Sequence, residues 1–109
     1  MTTVSSWHAA VHQFTAELQN AYGPRLHSVI LYGSRARGEA AEDSDIDILV
    51  VLESCPAFWQ EFDRISPIAS RISLDHDVVI SAIPVGSDEF NRAPSPLLQN
   101  VRREGVRVA

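Results

Sequence analysis

Two aspartates placed two residues apart, Asp45 and Asp47, open an apolar run, and a Gly-Ser pair, Gly33-Ser34, closes another such run ten residues earlier. In a strand, side chains at i and i+2 point to one face about 7 Å apart, so both carboxylates share a face while Ile46 points into the core. Two such carboxylates repel each other unless a cation lies between them, and oxygen ligands of this kind suit Mg²⁺ or Mn²⁺. Mg²⁺ commonly takes one or two protein carboxylates and fills its other positions with water and substrate phosphates. The Gly33-Ser34 turn supplies the complementary half. Glycine lets a backbone approach a ligand closely, amide groups at a helix start favour an anion, and the Ser34 hydroxyl can bond a phosphate oxygen. A phosphate cradle beside a metal-binding pair is what phosphoryl or nucleotidyl transfer requires. Each piece alone is commonplace, since Gly-Ser turns abound and an Asp-x-Asp often just solvates a strand end. The signal is their conjunction at the mouths of two apolar strands.

The elements that must position these residues follow from periodicity. Trp7, Val11, Phe14 and Leu18 recur at helical spacing, with Ala10 and Ala21 on the same side, and Tyr22-Gly23-Pro24 ends that helix. Leu26–Tyr32 reads as a buried strand stopped by Gly33, and Ile46–Leu52 as a strand covered on both faces. Phe58, Phe62, Ile65, Ala69 and Ile72 keep helical spacing. Pro67 predicts either a kink there or a new helix capped by Ser66. His76–Ile83 reads as a third strand, Ser95-Pro96 as the start of a last helix ended by Gly105, and Val106–Val108 as a short final strand. Strands alternating with helices predict an α/β fold: a mixed sheet of three or four strands flanked by helices, with residues 1–109 as a single domain.

Composition narrows the function classes. The chain has 109 residues, a formal net charge of −5, and nine basic residues that are all arginine. A net-acidic chain of this size is a poor candidate for sequence-independent grip on duplex nucleic acid. The longest apolar runs are too short to span a membrane, and the N-terminus lacks the basic and apolar regions of a secretory leader. A single cysteine, Cys55, allows no intrachain disulfide and suits the reducing cytoplasm. His8 and His12 stand one helical turn apart, but with no third ligand nearby they read as a solvated face.

The pattern Gly33-Ser34, ten residues, then Asp45-Ile46-Asp47 resembles that of the minimal nucleotidyltransferases of the DNA polymerase β superfamily. The weaker likeness, including the ending SPLLQNVRREGV, extends over nearly the whole chain. The resemblance implies the small nucleotidyltransferase fold and the transfer of a nucleotide, most readily AMP from ATP, to a hydroxyl with loss of pyrophosphate. It implies that Asp45 and Asp47 hold two Mg²⁺ (or Mn²⁺) ions, that Gly33 and Ser34 hold the β- and γ-phosphates, and that a third carboxylate on the next strand completes the metal site and activates the acceptor. By resemblance that acid is Asp77, with Asp75 as its rival. Small members of the family look like the antitoxin half of a two-gene pair whose partner is a helical HEPN-type ribonuclease toxin, inactivated by AMP on a tyrosine. Two other readings stand beside this one: a module that masks its partner by contact alone, and a small-molecule adenylyltransferase.

Arg35 and Arg37 flank the cradle. Either can reach a phosphate as a bidentate donor or pair with Glu39, Glu42 or Asp43. Tyr32 and His76 read as core or edge residues, and Trp59 and Phe62 as core or partner contacts. The sequence leaves open the oligomeric state and which protein, if any, forms a homo- or hetero-oligomer with the chain.

Overall fold

A computed structural model describes residues 6–38 and 44–109. The first amphipathic stretch forms helix α1, Ser6–Tyr22, with Ala10, Val11, Phe14 and Leu18 buried. Ala21 faces solvent, and Tyr22 takes the inward place instead. A short 3-10 turn, Gly23–Arg25, leads into strand β1, Leu26–Tyr32. One helical turn, α2, Ser34–Arg37, follows Gly33, and strand β2 runs Ile46–Leu52. Helix α3 spans Phe58–His76, strand β3 Ile80–Gly86, helix α4 Ser87–Arg92, helix α5 Pro96–Glu104 and strand β4 Val106–Arg107.

The four strands lie in the order β3-β2-β1-β4. β1 is antiparallel to β2 and to β4, and β2 is parallel to β3, so the sheet is mixed as the alternation predicts. Strand parity divides the core between two faces. Ile46, Ile48, Val50 and Leu52 face α1 and α3, whereas Leu49 and Val51 meet Val85, Leu98 and Val101 on the α5 side. Every one of these β2 side chains is at most 1% exposed. Burying each contributes about 1.5–3 kcal/mol, so β2 is the strand least free to shift, and the residues at its start inherit that rigidity.

Two expectations need correction. Of the two alternatives at Pro67, the new helix capped by Ser66 is excluded, because α3 runs unbroken through it. Proline forfeits one backbone bond on an exposed face, while Glu61, Ile65, Ala69 and Ile72 on the other face hold the helix to the sheet. The expected third strand at His76–Ile83 begins only at Ile80. α3 extends to His76, and Asp77 caps it in the left-handed conformation at φ 54°. Ser73 explains the boundary. Its carbonyl accepts from Val78 N–H at 3.0 Å and its hydroxyl accepts from Ile80 N–H at 3.0 Å, which fixes residues 77–79 as a turn. β-branched Val78 and Val79 suggest a strand, but these side-chain and cap bonds hold them in a connector.

Candidate active site

β2 begins where the sheet presents its two aspartates. Ile46 is fully buried toward α3, so Asp47 is turned to the α5 face, half-buried, and Asp45 stands exposed one step before the strand. Across the antiparallel pair, Asp47 sits opposite Tyr32, the last residue of β1. The chain then turns through Gly33 at φ 75°, and this turn brings the two halves of the motif together. A Cβ built on Gly33 would stand 2.5 Å from Oδ2 of Asp47, so the carboxylate lies directly against the glycine backbone. Only glycine provides both the positive φ and the room.

α2 starts at Ser34, directly after Gly33. The Ala36 and Arg37 N–H groups close back on the Gly33 carbonyl at 3.1 and 3.3 Å, which locks the turn. On the α5 side, a hollow of about 210 Å³ is lined by Tyr32, Gly33, Arg37, Leu97, Asn100 and Glu104, among others. The cradle therefore has a wall supplied by α5, and its residues carry no recognisable motif.

Electrostatics single out Asp47. Burial, and next the charge of Asp45, raise its carboxyl above the ordinary aspartate range. Burial also raises the Tyr32 hydroxyl, with Asp47 adding to the effect. A half-buried carboxylate whose charged form is disfavoured by a second carboxylate is a place where a divalent cation relieves repulsion, so the donor set fits Mg²⁺ or Mn²⁺. Among the described residues, no three His, Cys, Asp or Glu side chains are grouped closely enough to hold a metal by themselves.

The other residues singled out in the sequence fall as follows. Asp77 caps α3 and Asp75 lies in the last turn of that helix, so neither enters β3. The β3 residue in register with Asp47 is Ser81, and the residue whose carbonyl accepts from Ile46 N–H is Val79. The sheet therefore does not gather Asp77 with the aspartate pair. Arg35 donates from Nη2 to the Ser44 carbonyl at 2.9 Å, and its guanidinium lies 5.0 Å from the Trp7 ring centre, so it braces the start of β2 against α1. Arg37 meets Glu104 of α5 at 3.7 Å. Glu39, Glu42 and Asp43, the alternative partners, lie outside the described residues. His76 bonds Gln13 at 2.8 Å, a helix-to-helix tie. Tyr32, read as a core or edge residue, sits opposite Asp47 and lines the α5-side hollow, a placement its position before the Gly-Ser turn could have signalled.

A family model described as polymerase beta, nucleotidyltransferase, matches residues 15–109. A protein of Methanocaldococcus jannaschii, provisionally named a protein adenylyltransferase, is 35% identical over 97 residues, covering 88% of this chain and 91% of the relative. A solved toxin-antitoxin structure with AMP-PNP superposes with a TM-score of 0.58 at 22% identity, over 88% of this chain and 70% of its own. A tri-AMPylated HEPN toxin of Shewanella oneidensis in complex with its MNT antitoxin superposes with a TM-score of 0.53 at 17% identity, over 92% and 71%. At those identities the two structures show a shared fold.

Proposed function

This chain belongs to the polymerase beta nucleotidyltransferase family, and on that premise we propose that it transfers AMP from ATP to a tyrosine hydroxyl of a HEPN-type helical toxin, acting as the antitoxin of the pair. The observation that supports the reading is the close approach of Asp47 to the Gly33 backbone, which sets one aspartate of the pair against the Gly-Ser turn. In the reaction the acceptor oxygen attacks the α-phosphorus, the bond from that phosphorus to the bridging oxygen breaks, and pyrophosphate leaves. Mg²⁺ or Mn²⁺, when bound, neutralises the triphosphate and supports the leaving charge.

The chain's own residues divide the work. Asp45 and Asp47 are the metal ligands. Gly33 and Ser34 hold the β- and γ-phosphates. Arg37, which lines the hollow beside Gly33, and Arg35, braced on Ser44 and Trp7, are the phosphate donors of this reading. Asp77 is the third carboxylate of this reading and takes the acceptor proton. It serves from the connector, two residues before Val79, rather than from the sheet.

A second reading has one observation in its favour: the third acid is not gathered with the pair, as a module that neutralises by contact would permit. Labelled ATP, Mg²⁺ and the HEPN-type protein encoded with the chain separate the two. The first reading expects label on a partner tyrosine, lost in Asp45→Asn with Asp47→Asn while the complex persists. Full neutralisation by that double variant, with no label in the wild type either, would establish the second.

A further inference from the structure

β3 is an edge strand, and its outer margin is flanked by two hollows. One, of about 270 Å³, opens toward α3 and is lined by Asp45, Phe62, Ser66, Ser70, Val79 and Ser81, among others. The other, of about 260 Å³, is lined by Phe58, Glu89 and Leu97, among others, and Ile83 belongs to both. A cluster of three rings joins them across the first two turns of α3. Phe58 and Trp59 meet edge-on with centroids 5.0 Å apart, Trp59 and Phe62 do so at 5.7 Å, and Phe58 and Phe62 stack at 5.9 Å. Trp59 is 71% exposed and Val79 is 54% exposed. An indole left in water beside two other rings and a row of aliphatic side chains is the form an interaction surface takes, and aromatic anchors of this type carry most binding energy where they occur.

Charge, size and length say what fits there. The charged side chains lining the two hollows are Asp45 and Glu89, both carboxylates. Asp63 adds a third, exposed one turn beyond Trp59. Arg64, next to it, is drawn to the other side of α3, over the Tyr22 ring. The surface is thus apolar at its centre and acidic at its margin, and its complement is an apolar stripe bordered by Arg or Lys. Between the rings and Asp45 the floor is made of Ser66, Ala69, Ser70, Ser81 and Ala82, small residues that let another backbone come close. From Phe58 to Ser70 the trough runs about 18 Å, a little over three helical turns. Pro84 removes an N–H donor from β3, which disfavours extension of the sheet by an added strand.

We propose that this trough is the dock of the acceptor protein: one helix of the partner, apolar on one side and basic along its margins, lies between α3 and the edge of β3 over Trp59 and Phe62, with its end at Asp45. The assignment rests on the adenylyl-transfer reading, since the dock matters for chemistry only because it ends at Asp45, one of the two carboxylates.

The test uses the full chain and, as the ligand, the HEPN-type protein encoded with it. Affinity is measured by calorimetry, transfer with labelled ATP, and Mg²⁺·ATP affinity on the chain alone. Trp59→Ala should weaken the complex at least tenfold and raise KM for the acceptor, with kcat at saturation and Mg²⁺·ATP affinity unchanged. Asp63→Arg should also weaken it and flatten its dependence on salt. Val106→Thr, on the opposite edge of the sheet, should leave it unchanged. Trp59 and Asp63 are exposed, so both variants should keep the circular dichroism of the wild type, and a loss in each by a different property excludes misfolding as the cause. The dock is overturned if Trp59→Ala and Asp63→Arg bind like the wild type, if Val106→Thr is the variant that fails, if Trp59→Ala changes only self-association, or if no complex forms. Label without Trp59 dependence would leave the transfer reading intact and remove the dock. A Trp59-dependent complex that never becomes labelled would do the reverse.

Discussion

Glu61 and Asp47 are both carboxylates withdrawn from solvent, and their surroundings move them in opposite directions. Glu61, near the start of α3, accepts from the Tyr22 hydroxyl at 2.6 Å and from Arg25 at 3.2 Å, with a further pull from Arg64. Burial raises its carboxyl, but these bonds and charges together outweigh burial and leave it below the ordinary glutamate range. Asp47 is raised, because burial acts on it with Asp45 as its charged neighbour. A carboxylate whose lone pairs are met by donors of the chain is finished as a structural part. One held in a carboxylate pair is left without such donors, and the proposed function supplies a cation and a phosphate there.

The comparison can be broken at either end. The largest effect should come from Asp45→Asn with Asp47→Asn, which should cost several kcal/mol of transition-state stabilisation, on the order of a thousandfold in AMP transfer measured with labelled ATP. At the other end, Glu61→Ala should cost about 2 kcal/mol of folding stability by chemical denaturation, because it leaves the buried Tyr22 hydroxyl without its acceptor. It should leave Mg²⁺·ATP affinity unchanged. Gly33→Ala comes next. The positive φ costs about 1–2 kcal/mol, and the added Cβ displaces Asp47, so stability and transfer should fall together.

The smallest effect is the most discriminating. Without metal, Asp47→Asn should stabilise the fold by about 0.5 kcal/mol, since it removes a like-charge repulsion from a half-buried carboxylate. The two carboxylates also predict opposite pH behaviour. Glu61 is lowered, so its contribution is present above the ordinary glutamate range and is lost as pH falls through its folded value. Asp47 is raised, so the folded chain binds its proton more tightly than the unfolded chain does, and stability rises as pH falls through the window just above the ordinary aspartate range. Metal-free denaturation of Glu61→Gln and Asp47→Asn across the acid range should therefore flatten opposite slopes.

Much of the site was legible because its cause is local. Two residues of strand fix the side of a pair of carboxylates, and a glycine at φ 75° fixes what may lie against them. The sheet, its mixed character and the Ser95 cap of α5, which accepts from Leu98 N–H at 3.5 Å, were legible for the same reason. What was not legible depends on contacts distant in sequence. Asp77 looked like a strand residue because Val78 and Val79 favour strands, but Ser73 holds the turn that keeps it at the end of α3. Arg37 could be paired with nearby acids in the sequence, whereas its partner Glu104 comes from a helix 67 residues later. The α5 wall of the site carries no motif, since it contributes shape and the single carboxylate of Glu104 that meets Arg37.

Titration of ATP into the chain by calorimetry, in excess Mg²⁺ and again in EDTA, tests the central claim most directly. The claim is that Asp45 and Asp47 bind a triphosphate only through a cation. The prediction is tight binding with Mg²⁺ and at least a tenfold loss in EDTA for the wild type. For Asp45→Asn with Asp47→Asn, the difference between the two conditions should vanish. Equal affinity of the wild type in EDTA and in Mg²⁺ would contradict the account.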